Sequence, residues 1–127
     1  MLVVEVFNTV HSYRQLLAQL VAIHPEVHRQ GFVENQYLDK NVASMIKLVA
    51  ARAKISLCLE FAGYPIREVQ ANSWQTELLH VKRGTPRLAR KAQAVALMSL
   101  LTGIDRRKIR SDSADAFCIA LWGRDRV

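Results

Sequence analysis

Two aspartates, Asp112 and Asp115, stand three residues apart in Ser-Asp-Ser-Ala-Asp-Ala-Phe (111–117), at the mouth of an apolar run. On a helix, residues at that spacing are neighbours on one face. Like charges there repel unless a cation or the helix N-terminus offsets them. Taken locally, carboxylates in a first turn complement the helix dipole, worth about a few tenths of a kcal/mol. A third acid widens the choice. Glu34 closes Phe32-Val33-Glu34, and the C-terminal end of a strand is where α/β sheets build sites. Carboxylate oxygens are the donors that Mg²⁺ takes, one or two per ion beside water and phosphate. Two ions about 3.5–4 Å apart activate water and stabilise the leaving oxygen in phosphodiester cleavage. The basic run Arg106-Arg107-Lys108-Ile109-Arg110 directly before the aspartates would then meet the polyanion.

These side chains need elements to hold them. Leu2–Phe7 reads as a strand rich in β-branched residues. Ser12-Tyr-Arg-Gln15 has the form of a capping box, and Leu16, Leu17, Leu20 and Val21 follow at helical spacing up to Pro25. Residues 31–36 read as a second short strand, so the first third of the chain has the order of a parallel crossover unit. Asn41 would cap a long helix over 42–62, closed by Gly63. Its apolar positions form two stripes. Val42, Met45, Ile46, Val49 and Ala53 make one, and Leu48, Ile55 and Leu59 lie on another flank. A helix apolar on two sides is buried twice or meets a partner, which points to a homodimer formed through 42–62.

Residues 65–70 are a third strand, and Asn72 would cap a short helix over 73–80. Thr85-Pro86 reads as a cap followed by proline at the first helical position. That helix would run to about Thr102, with Leu88, Ala92, Val95 and Ser99 on one face and Gly103 at its end. The last helix spans about Asp112 to Gly123. Strands alternating with helices place the chain in the α/β class.

Bulk properties bound the rest. The 127 residues, half of them apolar, fit a single domain over 1–127 with one core. Formal net charge is +7, which favours a polyanionic partner, nucleic acid being the commonest. No apolar run approaches the roughly 18–20 residues that span a bilayer. MLVVEVFNTV lacks a basic n-region and a small-residue cleavage site, so it reads as a strand and not as a signal peptide. Cys58 and Cys118 lie in apolar stretches outside any CxxC, which fits buried reduced thiols and a cytoplasmic protein. His24 and His28 are four apart, but Pro25 opposes the helical turn that would converge them on a metal. The five glycines form no phosphate loop.

The order of these motifs resembles a known family. Glu34-Asn-Gln-Tyr-Leu-Asp-Lys-Asn41, leading into an Ala-rich helix, looks like the segment after the second catalytic acid of RuvC-type Holliday junction resolvases. Asp112-Ser-Ala-Asp115-Ala-Phe-Cys-Ile-Ala-Leu is similar to that family's closing Asp-x-x-Asp-Ala helix. Ala71-Asn-Ser-Trp-Gln75 and Arg90-Lys-Ala-Gln93 resemble its intervening segments, and the likeness covers about residues 10–123. The resemblance implies an RNase H-like fold, here a reduced or truncated mixed sheet of about three strands flanked by helices. It implies a homodimeric, structure-selective DNA endonuclease that resolves four-way or other branched junctions with Mg²⁺ or Mn²⁺.

Carried over residue by residue, Glu34, Asp112 and Asp115 match three of four metal-binding acids. Tyr37 falls where the family often places an aromatic wedge, and Lys91 matches a basic residue near the scissile phosphate. Lys40, Arg87, Arg90, Arg106 and Arg107 are the implied further DNA contacts. The family's first acid, an aspartate in an Asp-x-Gly-like strand, has no counterpart. Either the sequence lacks upstream strands, or Leu2–Phe7 takes the central place and Glu5 substitutes as the catalytic acid. The alternative function is a catalytically inactive RNase H-like module that binds branched nucleic acid.

Overall fold

The structure is a computed structural model, and it describes residues Leu17, Ala18, Leu20, Ala22, 30–34 and 42–126. The expected strand Leu2–Phe7, the residues Glu5, Tyr37 and Lys40, and the His24/His28 pair lie outside the described residues. Two compact units divide the described chain, one ending at Val69 and the other starting at Gln70.

In the first unit, strand β1 (Gly31–Glu34) is followed by helix α1 (Val42–Phe61) and strand β2 (Ile66–Val69). The strands pair in parallel, with Gly31 opposite Ile66 and Glu34 opposite Val69. Parallel neighbours need a long crossover, and α1 lies within it. Gly31 is required by packing. A Cβ there would stand 3.1 Å from Leu59 Cδ1 and 3.3 Å from Ile66 Cδ1. The backbone N–H of Gly31 donates to Pro65 O at 2.8 Å, and Gln30 Nε2 donates to the same oxygen at 2.7 Å. Two bonds thus converge on one carbonyl just before β2.

Helix α1 stops where the sequence predicts. Gly63 takes φ +85°, its N–H donates to Glu60 O, and the N–H of Tyr64 donates to Leu59 O. That paired pattern satisfies carbonyls the helix end would otherwise leave open. The Tyr64 hydroxyl donates to Leu20 O at 3.3 Å, and Arg52 pairs with Glu68 between α1 and β2. The apolar stripes of α1 are not buried on two sides among the described residues. Cys58 is its one buried residue, while Val42, Ile46, Leu57 and Phe61 are more than half exposed.

The second unit is helical among its described residues: α2 (Ala71–Leu79), α3 (Arg87–Thr102), a 3₁₀ turn (Arg106–Lys108) and α4 (Ser111–Arg124). Its core gathers Trp74, Ala94, Ala114, Cys118, Ile119 and Trp122. Ala94, Ala114 and Cys118 are wholly inaccessible, and Cys118 Sγ lies 3.9 Å from Ala94 O. Small side chains at the contact let α3 and α4 approach closely. The face of α3 predicted from Leu88, Ala92, Val95 and Ser99 is therefore displaced. Leu88 is 81% exposed, and the buried position is Ala94.

The path between α3 and α4 is unusual for a helical pair. Lys91 reaches Ser111 and Ala94 meets Cys118, so α4 begins beside the first half of α3. The connection 103–110 has to run back along α3, and the 3₁₀ turn packs on that helix. Extended chain covers about 3.3 Å per residue against 1.5 Å in a helix, so these few residues suffice. Overall the chain is mixed α/β and mostly helical, with a two-stranded parallel sheet among the described residues. No helix of the described residues is long and apolar enough to cross a membrane.

Candidate functional site

The acid-bearing helix starts one residue earlier than its sequence predicts. Ser111 is its first residue and Arg110 its N-cap, with no side-chain capping bond. Arginine cannot accept a hydrogen bond, so the first-turn N–H groups receive nothing from that side chain. Asp112 places a carboxylate in this turn, where the dipole favours it. Asp115 follows one turn later on the same face. Asp112 is exposed and Asp115 half-buried, so the pair lies at the border between core and solvent.

Lys91 is the residue the fold brings to this border. Its Nζ donates to Ser111 Oγ at 3.3 Å, fixing an ammonium at the entrance of α4. Position 111 carries no acid, so the partner that α4 offers the ammonium there is a hydroxyl. The electrostatic influence of Asp115 reaches inward as well. Burial, with the Asp115 charge adding to it, pushes the Cys118 thiol up to about 12. Cys118 is therefore a protonated core thiol. Neither cysteine forms a disulfide, and both are buried.

The basic residues divide by environment. Arg87 is exposed at the start of α3. Arg90 turns inward instead: its Nη1 donates to Gln75 Oε1 at 3.3 Å, and its buried Nε has no partner. Arg106, Arg107 and Lys108 form the exposed 3₁₀ turn. The Asp105 carboxylate accepts from Arg107 N at 2.9 Å and pairs with its guanidinium at 3.0 Å. The Arg107 contacts hold the Asp105 carboxyl below its ordinary value. Residues 70–127 carry eleven Lys and Arg against five Asp and Glu, a net +6, whereas residues 1–69 net only +1. The positive charge thus sits in the same stretch as the aspartate pair.

Glu34 belongs to the first unit, half-buried at the C-terminal end of β1 opposite Val69, as its segment predicts. Among the described residues no three His, Cys, Asp or Glu side chains form a group suited to a metal. The Asp112–Asp115 pair supplies two hard oxygen donors on one helix face, which fits a single Mg²⁺ completed by water and phosphate. Comparisons with protein-family models, curated proteins and solved structures return no match.

Two features of this region were not legible in the sequence. Ser111, the anchor of Lys91, carried no signal of its own, and only the return of the 103–110 connection makes it a partner of α3. The second is a clamp at the far end of α4. Trp122 Nε1 donates to Glu77 Oε2 at 2.9 Å, and Arg126 pairs with the same carboxylate. The Arg126 guanidinium lies 4.0 Å from the Trp122 ring centroid and its Nη1 donates to Trp122 O at 2.7 Å. Glu77 thereby ties α2 to the helix that carries the acids.

Proposed function

We propose that this chain is a Mg²⁺- or Mn²⁺-dependent endonuclease of the RuvC-like group that acts on four-way or branched DNA. The observation that carries the reading is the placement of Lys91 at the mouth of the helix bearing Asp112 and Asp115. Carboxylates for a divalent ion and a cation for a phosphate oxygen stand on adjoining helices. The net +6 of residues 70–127 supports a polyanionic substrate.

In this reading Asp112 and Asp115 would hold the metal, two of the acids that the family resemblance implies. A bound divalent ion supplies Lewis-acid activation of water and stabilisation of the leaving oxygen. Lys91 offsets charge on a non-bridging phosphate oxygen, and Ser111 keeps its ammonium in place. Water adds to phosphorus, the bond from phosphorus to one sugar oxygen breaks, and that oxygen leaves with a proton. The exposed Val42, Ile46, Leu57 and Phe61 of α1 support assembly as a homodimer through 42–62. An RNase H-like arrangement accords with the order strand, long helix, parallel strand and closing acid-bearing helix.

The test is a synthetic four-way junction incubated with the purified chain and Mg²⁺, beside Asp115→Asn. The expected result is nicking by the wild type, and binding without nicking by the variant. Binding without nicking by the wild type would refute catalysis and leave a module for branched nucleic acid, a reading the charge of residues 70–127 equally favours. Equal affinity for junction and linear duplex would remove junction selectivity.

A further inference from the structure

The last turn of α3 and the residue after its C-cap present apolar side chains to solvent: Leu100 is 78% exposed, Leu101 55% and Ile104 43%. Exposed leucines are common on protein surfaces. Two observations set these apart. The first is that the turn holding them is fastened. Gly103 takes φ +76° and its N–H donates to Ser99 O at 2.9 Å. Ser99 Oγ donates to Ile104 O and Thr102 Oγ1 to Met98 O, each at 2.6 Å, while Ile104 N donates to Thr102 Oγ1 at 3.3 Å. Ile104 is held out by a built turn, with its backbone already ordered.

The second observation is the rim. Directly after Ile104 come Asp105 and the exposed Arg106, Arg107 and Lys108, with Arg110 two residues further on. Asp105 is engaged by Arg107, so Arg106, Lys108 and Arg110 supply the remaining charge. The carbonyl end of the α3 dipole opposes an anion at residues 100–103, and this run of cations offsets it. An apolar edge with a cationic border matches the chemistry of a base stack and its phosphates. Apolar wedges of Leu and Ile unstack base steps while cations grip the backbone. Bases that are already unpaired open at least cost. An acidic lipid surface would want a longer apolar helix face than these three side chains offer.

We propose that Leu100, Leu101 and Ile104 form a wedge against unstacked bases at a DNA branch point, with Arg106 and Lys108 on the flanking phosphates. The wedge rests on the DNA-binding part of the function proposed above, and its test separates the two. Full-length Leu101→Ser/Ile104→Ser and Arg106→Ala/Lys108→Ala would be titrated with a four-way junction carrying 2-aminopurine at the branch, and with a linear duplex of equal length. Burial of one leucine corresponds to about tenfold or more in affinity. The apolar variant should lose at least that on the junction, with the duplex unchanged and the 2-aminopurine rise abolished. The basic variant should weaken on both DNAs, with a slope of log K against log salt shallower by about 2.

All four positions are exposed, so melting temperatures should match the wild type; should the apolar pair melt early, Leu100→Ser alone supplies the measurement. An equal loss on both DNAs, or no loss, overturns the wedge. So does wild-type binding to phosphatidylserine vesicles that the serine substitutions abolish, or a dimer in sedimentation that they dissociate. If the wild type binds neither DNA, the functional reading falls and takes the wedge with it. If it nicks junctions and the apolar variant does so equally well, only the wedge falls.

Discussion

Removing the Glu77 carboxylate should loosen the second unit by a predictable amount. In Glu77→Ala the indole N–H of Trp122 loses an ionised acceptor at 2.9 Å, and Trp122 is 9% exposed. A hydrogen bond to a charged group contributes about 1.5–3 kcal/mol, and a buried donor left unmade costs about 1–3 kcal/mol. These are two views of one loss and are not summed. The Arg126 pair adds less. Its two side chains are 31% and 50% exposed, and screened pairs of that kind contribute about 0.2–1 kcal/mol. The stacking of Arg126 on Trp122 survives the substitution. The expected destabilisation is about 2 kcal/mol, which lowers the melting temperature by about 15 °C for a unit of this size. Glu77→Gln keeps an acceptor for the indole and should cost about 1 kcal/mol or less. Urea unfolding followed by Trp fluorescence reads both, and a cycle with Trp122→Phe isolates the coupling at about 1–2 kcal/mol. Equal costs for the Gln and Ala variants, or additivity in the cycle, would refute the clamp.

Three further outcomes follow from the same geometry. Lys91→Ala should slow junction cleavage about a hundredfold or more while leaving the fold intact, measured by single-turnover nicking; an unchanged rate would place Lys91 outside the chemistry. The native Cys118 thiol keeps its proton to about 12, whereas an unfolded cysteine titrates near 9. Stability from this residue is thus complete below about pH 9 and is lost as pH rises towards 12, by up to about 1.4 kcal/mol per pH unit. Urea unfolding at increasing pH should fall less steeply in Cys118→Ala. Ser113 is 7% exposed and its Oγ has no partner, so Ser113→Ala should stabilise the chain by about 1 kcal/mol in a thermal melt.

Local signals served the helices well where the backbone alone decides an end. Gly63 and Gly103 terminate α1 and α3 at φ +85° and +76°, because only glycine enters that region without cost. Side-chain capping signals served less well. Asn72 lies inside α2, whose N-cap is Gln70, and the Thr85 hydroxyl donates to Lys82 O instead of capping α3. Short polar side chains have several backbone partners within reach, and spacing does not rank them. Strand β2 spans Ile66–Val69 within the expected 65–70, since pairing is limited to the residues that oppose β1. At the site, the Asp112–Asp115 pair was legible because both lie on one helix. Lys91 was indicated by family resemblance, and its contact with Ser111 follows from a connection that doubles back. The Glu77 clamp joins residues 45 and 49 apart in sequence, and no local pattern announces it.

That separation has a kinetic meaning. Contacts between α3 and α4 close over 20 to 24 residues, as in Lys91–Ser111 and Ala94–Cys118. The Glu77 contacts close over about twice that length and involve the last turn of the chain's final described helix. Loop closure favours the shorter span by about 0.6 kcal/mol per doubling, so the expected outcome of a φ-value measurement is a high value for the α3–α4 pair and a low one for the clamp. Substitution at Glu77 then leaves the refolding rate nearly unchanged and accelerates unfolding. A low φ at Glu77 would make the clamp a determinant of the native state's lifetime and not of how fast that state is reached.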